Sequence, residues 1–276
     1  MKARLLVAYD GTGFHGFAPN EGVRTVTGVL TDAISLVVRA PVALTGAGRT
    51  DAGVHAWGQV VSGDVPDDTD LEQLVRRMNK LCAPDVAVRG AAWTDDHFDA
   101  RFSARWRHYR YDVWNAPTPN PLLAHRAWWV HHPLDLHVMN VAAGPVVGEH
   151  DFASFCRRVK VGVDEPEKSL VRKVISTAWS DVTATDSGLW GGEATPYDGS
   201  EPQTPRLLRF EIRANAFCHQ MVRSITGTLV DIGLGKLAGD AVPGILAART
   251  RQEAGQVAPP HGLTLWEVGY PTGEGA

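Results

Sequence analysis

The feature that most constrains this chain is the order in which its hydrophobic period changes over the first hundred residues. RLLVAY at 4–9 is rich in strand formers and runs into the turn Asp10-Gly11-Thr12-Gly13. Thr25 then stands where a helix cap belongs, and Val26, Val29, Leu30, Ala33, Ile34 and Val37 keep a 3.6-residue period until Pro41. Strand-like runs follow at Val42 to Ala47 and Gln59 to Ser62, separated by the glycine-rich GAGRTDAGVHA. Asp70 opens a second helical pattern with Leu71, Leu74, Val75, Met78 and Leu81 inward, and Val86 to Trp93 reads as another strand. The order β-α-β-β-α-β is the ferredoxin-like plan, an antiparallel sheet with helices on one face.

A second α+β half is expected beyond it. Asp99 to Ser103 reads as a connector, after which Arg107 to Trp114 alternates, with Arg107, Tyr109, Tyr111 and Val113 on one face. A helix near Leu136 to Ala143, strands at Val171 to Val182 and Leu207 to Ala214, a helix from about Cys218 to Leu234 and a last strand Leu263 to Gly269 complete the half. At roughly 150 residues per domain, 276 residues suit two units. Residues 1–103 are expected to carry the glycine-rich loop, and residues 104–276 to hold a Gly/Pro/Ser-rich insertion at 186–205.

Composition excludes some classes. No apolar run approaches the ~20 residues of a membrane span, and MKARLLVAYD lacks a leader pattern, so a soluble, cytoplasmic protein is expected. Cys82, Cys156 and Cys218 lie far apart, which argues against a disulfide framework or structural zinc. A net charge of -4 speaks against a generic nucleic-acid binder. Its distribution is uneven, however. Arg101, Arg105, Arg107 and Arg110 crowd together, and further basic groups stand at 157–160, 168–173 and 206–213, so an arginine-lined cleft is compatible with the sign.

One stretch stands out for chemistry: Gly46-Ala47-Gly48-Arg49-Thr50-Asp51-Ala52-Gly53-Val54-His55. Its glycines let backbone approach a ligand, and one carboxylate sits near its middle. Asp51 stands where a dinucleotide fingerprint has its third glycine, and the Gly-Lys-Ser/Thr of a phosphate loop is missing. By spacing alone, an ordinary turn between two strands with a surface salt bridge is the better fit.

GRTDAGVHA resembles the signature of the tRNA pseudouridine synthase A family. YDGTGFHGF, FDARFSARWRHYRYDVWN, HDFASFC and ANAFCHQMVRSITGTLV resemble further blocks of that family, in the family's order and over nearly the whole chain. The resemblance implies the pseudouridine synthase fold, with two ferredoxin-like halves whose antiparallel sheets meet at a central active-site cleft. It also implies isomerisation of uridine to pseudouridine at positions 38, 39 and 40 in the anticodon stem and loop of tRNA, without metal or organic cofactor. Asp51 is then the catalytic carboxylate, acting either as a nucleophile or as the base that takes a ribose proton. A carboxylate that must stay ionised away from water needs a cation, and the family pattern points to Arg223. Arg49 is expected to support the site at the RNA backbone, and Tyr109 to stack on the extruded base. His55, Arg107 and Arg110 complete the expected substrate contacts. The family further implies a homodimer that shares each tRNA.

The chain departs from the family at Ala18-Pro19-Asn20 and at Thr27, where glutamines are usual, which puts RNA contacts of an entrance loop in doubt. The residues themselves also admit two other readings: a metal-dependent nuclease using Asp10, Asp51, His55 and Asp151, and a non-catalytic RNA-binding module.

Overall fold

The computed structural model describes residues 1–157, 169–184 and 204–271. In chain order its elements are β1 (Lys2–Tyr9), α1 (Val26–Val38), β2 (Thr45–Gly46), β3 (His55–Asp64), α2 (Leu71–Cys82), β4 (Val86–Thr94), β5 (Trp106–Asn115) and β6 (Trp128–Val130). There follow α3 (Leu136–Ala143), β7 (Gly148–Asp151), β8 (Val171–Asp181), β9 (Arg206–Ala214), α4 (Met221–Gly233), α5 (Ala241–Ala248) and β10 (Leu263–Gly269). They gather in two compact units, one of Met1–His108 with the chain from Thr264 onward, the other of Tyr109–Leu263.

In the first unit the helix boundaries follow local chemistry. Thr25 is extended and its hydroxyl accepts from the Gly28 N–H at 3.2 Å, a cap worth about 1 kcal/mol. Arg39 ends α1 in the left-handed region at φ 56°, and Pro41 forbids continuation. Val26, Leu30, Ala33 and Ile34 face the core. Asp70 caps α2 by accepting from the Gln73 N–H at 3.0 Å. Its buried stripe runs Leu74, Met78, Cys82 in steps of four, so Leu81, expected inward, is exposed instead.

The sheet of this unit has the order β4-β1-β3, with β1 antiparallel to both neighbours. On the far edge of β3, β2 pairs antiparallel at Thr45↔Ser62 and Gly46↔Val61. This is the ferredoxin-like order β4-β1-β3-β2, but β2 is two residues long rather than the run from Val42 to Ala47. A ten-residue β3 therefore keeps backbone groups on that edge that β2 cannot pair, and β10 pairs with the other end in parallel, at Thr264↔His55 and Leu265↔Ala56. The last strand thus joins the first unit's sheet, where sequence order had suggested the second half. Strand β3 also begins at His55, four residues before the expected start, because it is buried at nearly every position and shows no alternation to read.

In the second unit β5, from Tyr109, is followed across the sheet by β9, β8 and β7. β7 and β8, and β8 and β9, pair antiparallel, while β6 lies parallel to β5 at Val113↔Trp128. The alternation in β5 holds from Tyr109 to Val113, with Tyr109, Tyr111 and Val113 buried, and ends at Trp114, which is buried as well although the alternation puts it on the other face. Phe152, Phe155, Phe210 and Leu229 are buried with them, and α3 packs on α4 and β8. Helix α5, which the sequence reading did not separate, is masked by Pro243 and Gly244.

Cys156 and Cys218 stand side by side although 62 residues separate them, their Cα atoms 5.8 Å apart, because the segment after β7 packs against the start of α4; Cys82 is a buried thiol. Arg158, Lys160 and Lys168 and nearly all of the 186–205 insertion lie outside the described residues. No described helix is long and apolar enough to cross a membrane.

Candidate active site

Residues 47–54 form the tip of the β2–β3 hairpin and are tied down along their length. Ala47 N–H donates to Val60 O at 2.8 Å, Phe17 N–H to Thr50 O at 3.0 Å, and Val54 N–H to Asp51 O at 3.1 Å. The last bond closes a turn whose third residue, Gly53, has φ +78°, a conformation that side chains disfavour. Gly11 is needed for packing, because a Cβ there would lie 2.1 Å from Val54 O. The turn after β1 therefore rests directly on the hairpin loop, and the blocks YDGTGFHGF and GRTDAGVHA form one construction. Asp51 is half-buried, Arg49 is exposed, and Thr50 between them is buried.

Beneath the loop lies a buried polar cluster. Gln59 on β3 donates from Nε2 to Gly48 O at 2.7 Å and accepts at Oε1 from Gly48 N–H at 3.3 Å. The Tyr9 hydroxyl lies 2.8 Å from Thr50 Oγ1, and burial pushes its pKa up to about 12, against the pull of its hydrogen bonds to Thr50 and Gln59. His55 is also buried: Gly11 N–H donates to its Nδ1 at 3.1 Å, and Asp10 Oδ1 stands 3.2 Å from the same nitrogen. Its place is thus against the Asp10-Gly11 turn. The Arg107 guanidinium donates to Ala47 O at 2.9 and 3.3 Å, to Arg101 O at 2.7 Å and to Ala104 O at 3.3 Å. Of the residues expected at the site, Asp51, Arg49, His55 and Arg107 belong to this one loop and its supports.

The remaining expected residues belong to the second unit. Tyr109 is buried, with its ring edge-on to Phe217 at 5.1 Å between centroids. Arg110 Nε lies 2.6 Å from Glu211 Oε1, and Arg209 Nε 2.7 Å from Asp112 Oδ1, so charge pairs bind β5 to β9. Arg223, in the first turn of α4, donates from Nε to Ala258 O at 2.7 Å. Near it the Tyr111 phenol is pushed well above its ordinary range by burial, opposed by the Arg223 charge, and donates to Pro259 O at 2.8 Å.

Several basic groups read from the sequence as a possible cleft lining have structural partners. Arg206 donates to Asn115 Oδ1 and Leu134 O, and Arg172 to Ser169 O and Val171 O. Thr27 is no entrance-loop residue: it is buried in the first turn of α1, with its N–H on Phe17 O at 3.0 Å. Sequence reasoning missed Tyr9, Thr50 and Gln59. The available signal was a glutamine inside an otherwise apolar strand run, Gln59-Val60-Val61.

Comparison with known proteins adds an independent line. A family model described as tRNA pseudouridine synthase matches residues 142–271. A protein of Frankia casuarinae named tRNA pseudouridine synthase A is 40% identical over 98% of this chain and 90% of its own length. Proteins of the same name from Corynebacterium glutamicum and Bacillus subtilis are 38% and 35% identical, over 99% and 98% of this chain and 91% and 99% of theirs. Among solved structures, a chain of a Cbf5-Nop10-Gar1 complex matches at 12% identity and a TM-score of 0.30, over 83% of this chain and 44% of that one, too remote to add to the argument.

Proposed function

The chain belongs to the tRNA pseudouridine synthase A family, and from that premise we propose that it isomerises uridine at positions 38, 39 and 40 of the anticodon arm, with Asp51 as the essential carboxylate. The reaction breaks the N1–C1′ bond, turns the uracil and joins C5 to C1′; the proton lost at C5 is balanced by one gained at N1. One carboxylate is the minimum equipment for it. The observation that carries this reading is the setting of Asp51: half-buried, in a loop hydrogen-bonded along its main chain, beside an exposed Arg49. Such a loop holds a reacting group in place without induced rearrangement.

Arg49 is proposed to engage the RNA backbone. Arg223 as the cation of the reaction and Tyr109 as the aromatic that receives the base rest on the family pattern alone. His55 is proposed to act from beneath the loop. A phosphate role for Arg107 or Arg110 must use donor capacity beyond that already given to Ala47, Arg101 and Glu211. We place the enzyme in the cytoplasm, working without metal or organic cofactor as a homodimer that shares each tRNA. Sedimentation showing a particle of about one chain mass that still modifies full-length tRNA would remove the dimer.

The deciding experiment is incubation with unmodified tRNA transcripts followed by chemical mapping of pseudouridine. Product at 38–40 from the wild type, and none from Asp51→Asn, is the expected result. Product elsewhere in the tRNA would reject the positional assignment.

A further inference from the structure

Gln59 is fully buried, Tyr9 is 5% exposed and Thr50 is 7% exposed. An apolar side chain would fill the Gln59 site without the desolvation an amide suffers there. The amide is used at both ends, and on one residue: Nε2–H to Gly48 O and Gly48 N–H to Oε1, the two-point pairing of a strand ladder made by a side chain. Nε2 also lies 3.5 Å from the Tyr9 hydroxyl, at the edge of hydrogen-bonding distance. Nε2 can only donate, so Tyr9 accepts from it, and the Tyr9 hydroxyl shares a second hydrogen bond with Thr50 Oγ1 at 2.8 Å, in which either oxygen can be the donor. Gly48 and Thr50 bracket Arg49, and Thr50 immediately precedes Asp51.

We propose that Gln59, through Gly48 directly and through Tyr9 to Thr50, is the positioning residue that fixes the main chain on both sides of Arg49 and so sets where the Asp51 carboxylate stands. The inference rests on the proposed role of Asp51 and extends it to four residues, Tyr9 of β1, Gly48 and Thr50 of the loop and Gln59 of β3. A carboxylate misplaced by about 1 Å can lose on the order of a hundredfold in rate, whereas tRNA affinity comes from dispersed phosphate contacts that this network does not make. Chemistry should therefore suffer while binding does not.

The test compares Gln59→Met, which keeps the volume and removes the hydrogen bonds to Gly48 and Tyr9, with wild type in single-turnover conversion of unmodified tRNA transcripts. Affinity is measured by filter binding in an Asp51→Asn background, so that no product forms. Expected are a ten- to hundredfold loss of rate in Gln59→Met and a tRNA Kd within about threefold of the parent. Thr50→Val should lose at least fivefold, and Thr50→Ser, which keeps the hydroxyl, should recover most of that loss. The Thr50 pair decides if Gln59→Met does not fold. A Gln59→Met rate within twofold of wild type, a rate loss matched by an equal loss of affinity, or Thr50→Val as active as Thr50→Ser overturns the proposal. Wild-type protein that makes no pseudouridine would overturn the functional reading along with it, which separates the two failures.

Discussion

Arg107 on β5 reaches Ala47, 60 residues earlier, and places two donors on its carbonyl, Nη2 at 2.9 Å and Nε at 3.3 Å. The grip falls one residue before Gly48, so the hairpin loop is held from a strand outside its own hairpin. Arg107→Ala should cost about 1.5–3 kcal/mol of stability, the range for hydrogen bonds to charged groups, read from the urea midpoint. The salt dependence of tRNA binding should not change. A slope reduced by about one would show that Arg107 neutralises a phosphate instead.

Asp51→Asn is expected to abolish pseudouridine formation and to leave tRNA affinity within about tenfold, because one carboxylate performs chemistry while many contacts bind. Measurable product from highly purified Asp51→Asn protein would end the assignment.

Tyr109→Phe and Tyr109→Leu should separate two contributions. Phe keeps the ring against Phe217, a contact worth about 0.5–1.5 kcal/mol, and removes only the hydroxyl; Leu removes both. Turnover in the order wild type, Phe, Leu is expected. Equal, wild-type rates for the two variants would take Tyr109 out of the site.

What the amino-acid order determined by itself was local. Thr25, the spacing from Val26 to Ile34, and Asp70 with Leu74 and Met78 specify two helices because capping and a 3.6-residue period act within a few turns of chain. GRTDAGVHA announced a ligand-approaching loop with one carboxylate for the same reason: glycine freedom and residue chemistry are properties of the segment. The tertiary structure decided what depends on partners far along the chain. β3 could not be bounded from its composition, since its side chains are buried on both faces of the sheet, which removes the alternation that marks a half-exposed strand. β10 pairs with His55 and Ala56 because a long strand beside a two-residue neighbour has backbone groups to satisfy, a condition invisible at Leu263–Gly269. Gln59 reads in the sequence as one polar residue in a strand. Only the fold sets Gly48 on its amide and Tyr9 beside it, because a buried hydrogen bond is defined by two positions and a linear sequence displays one at a time.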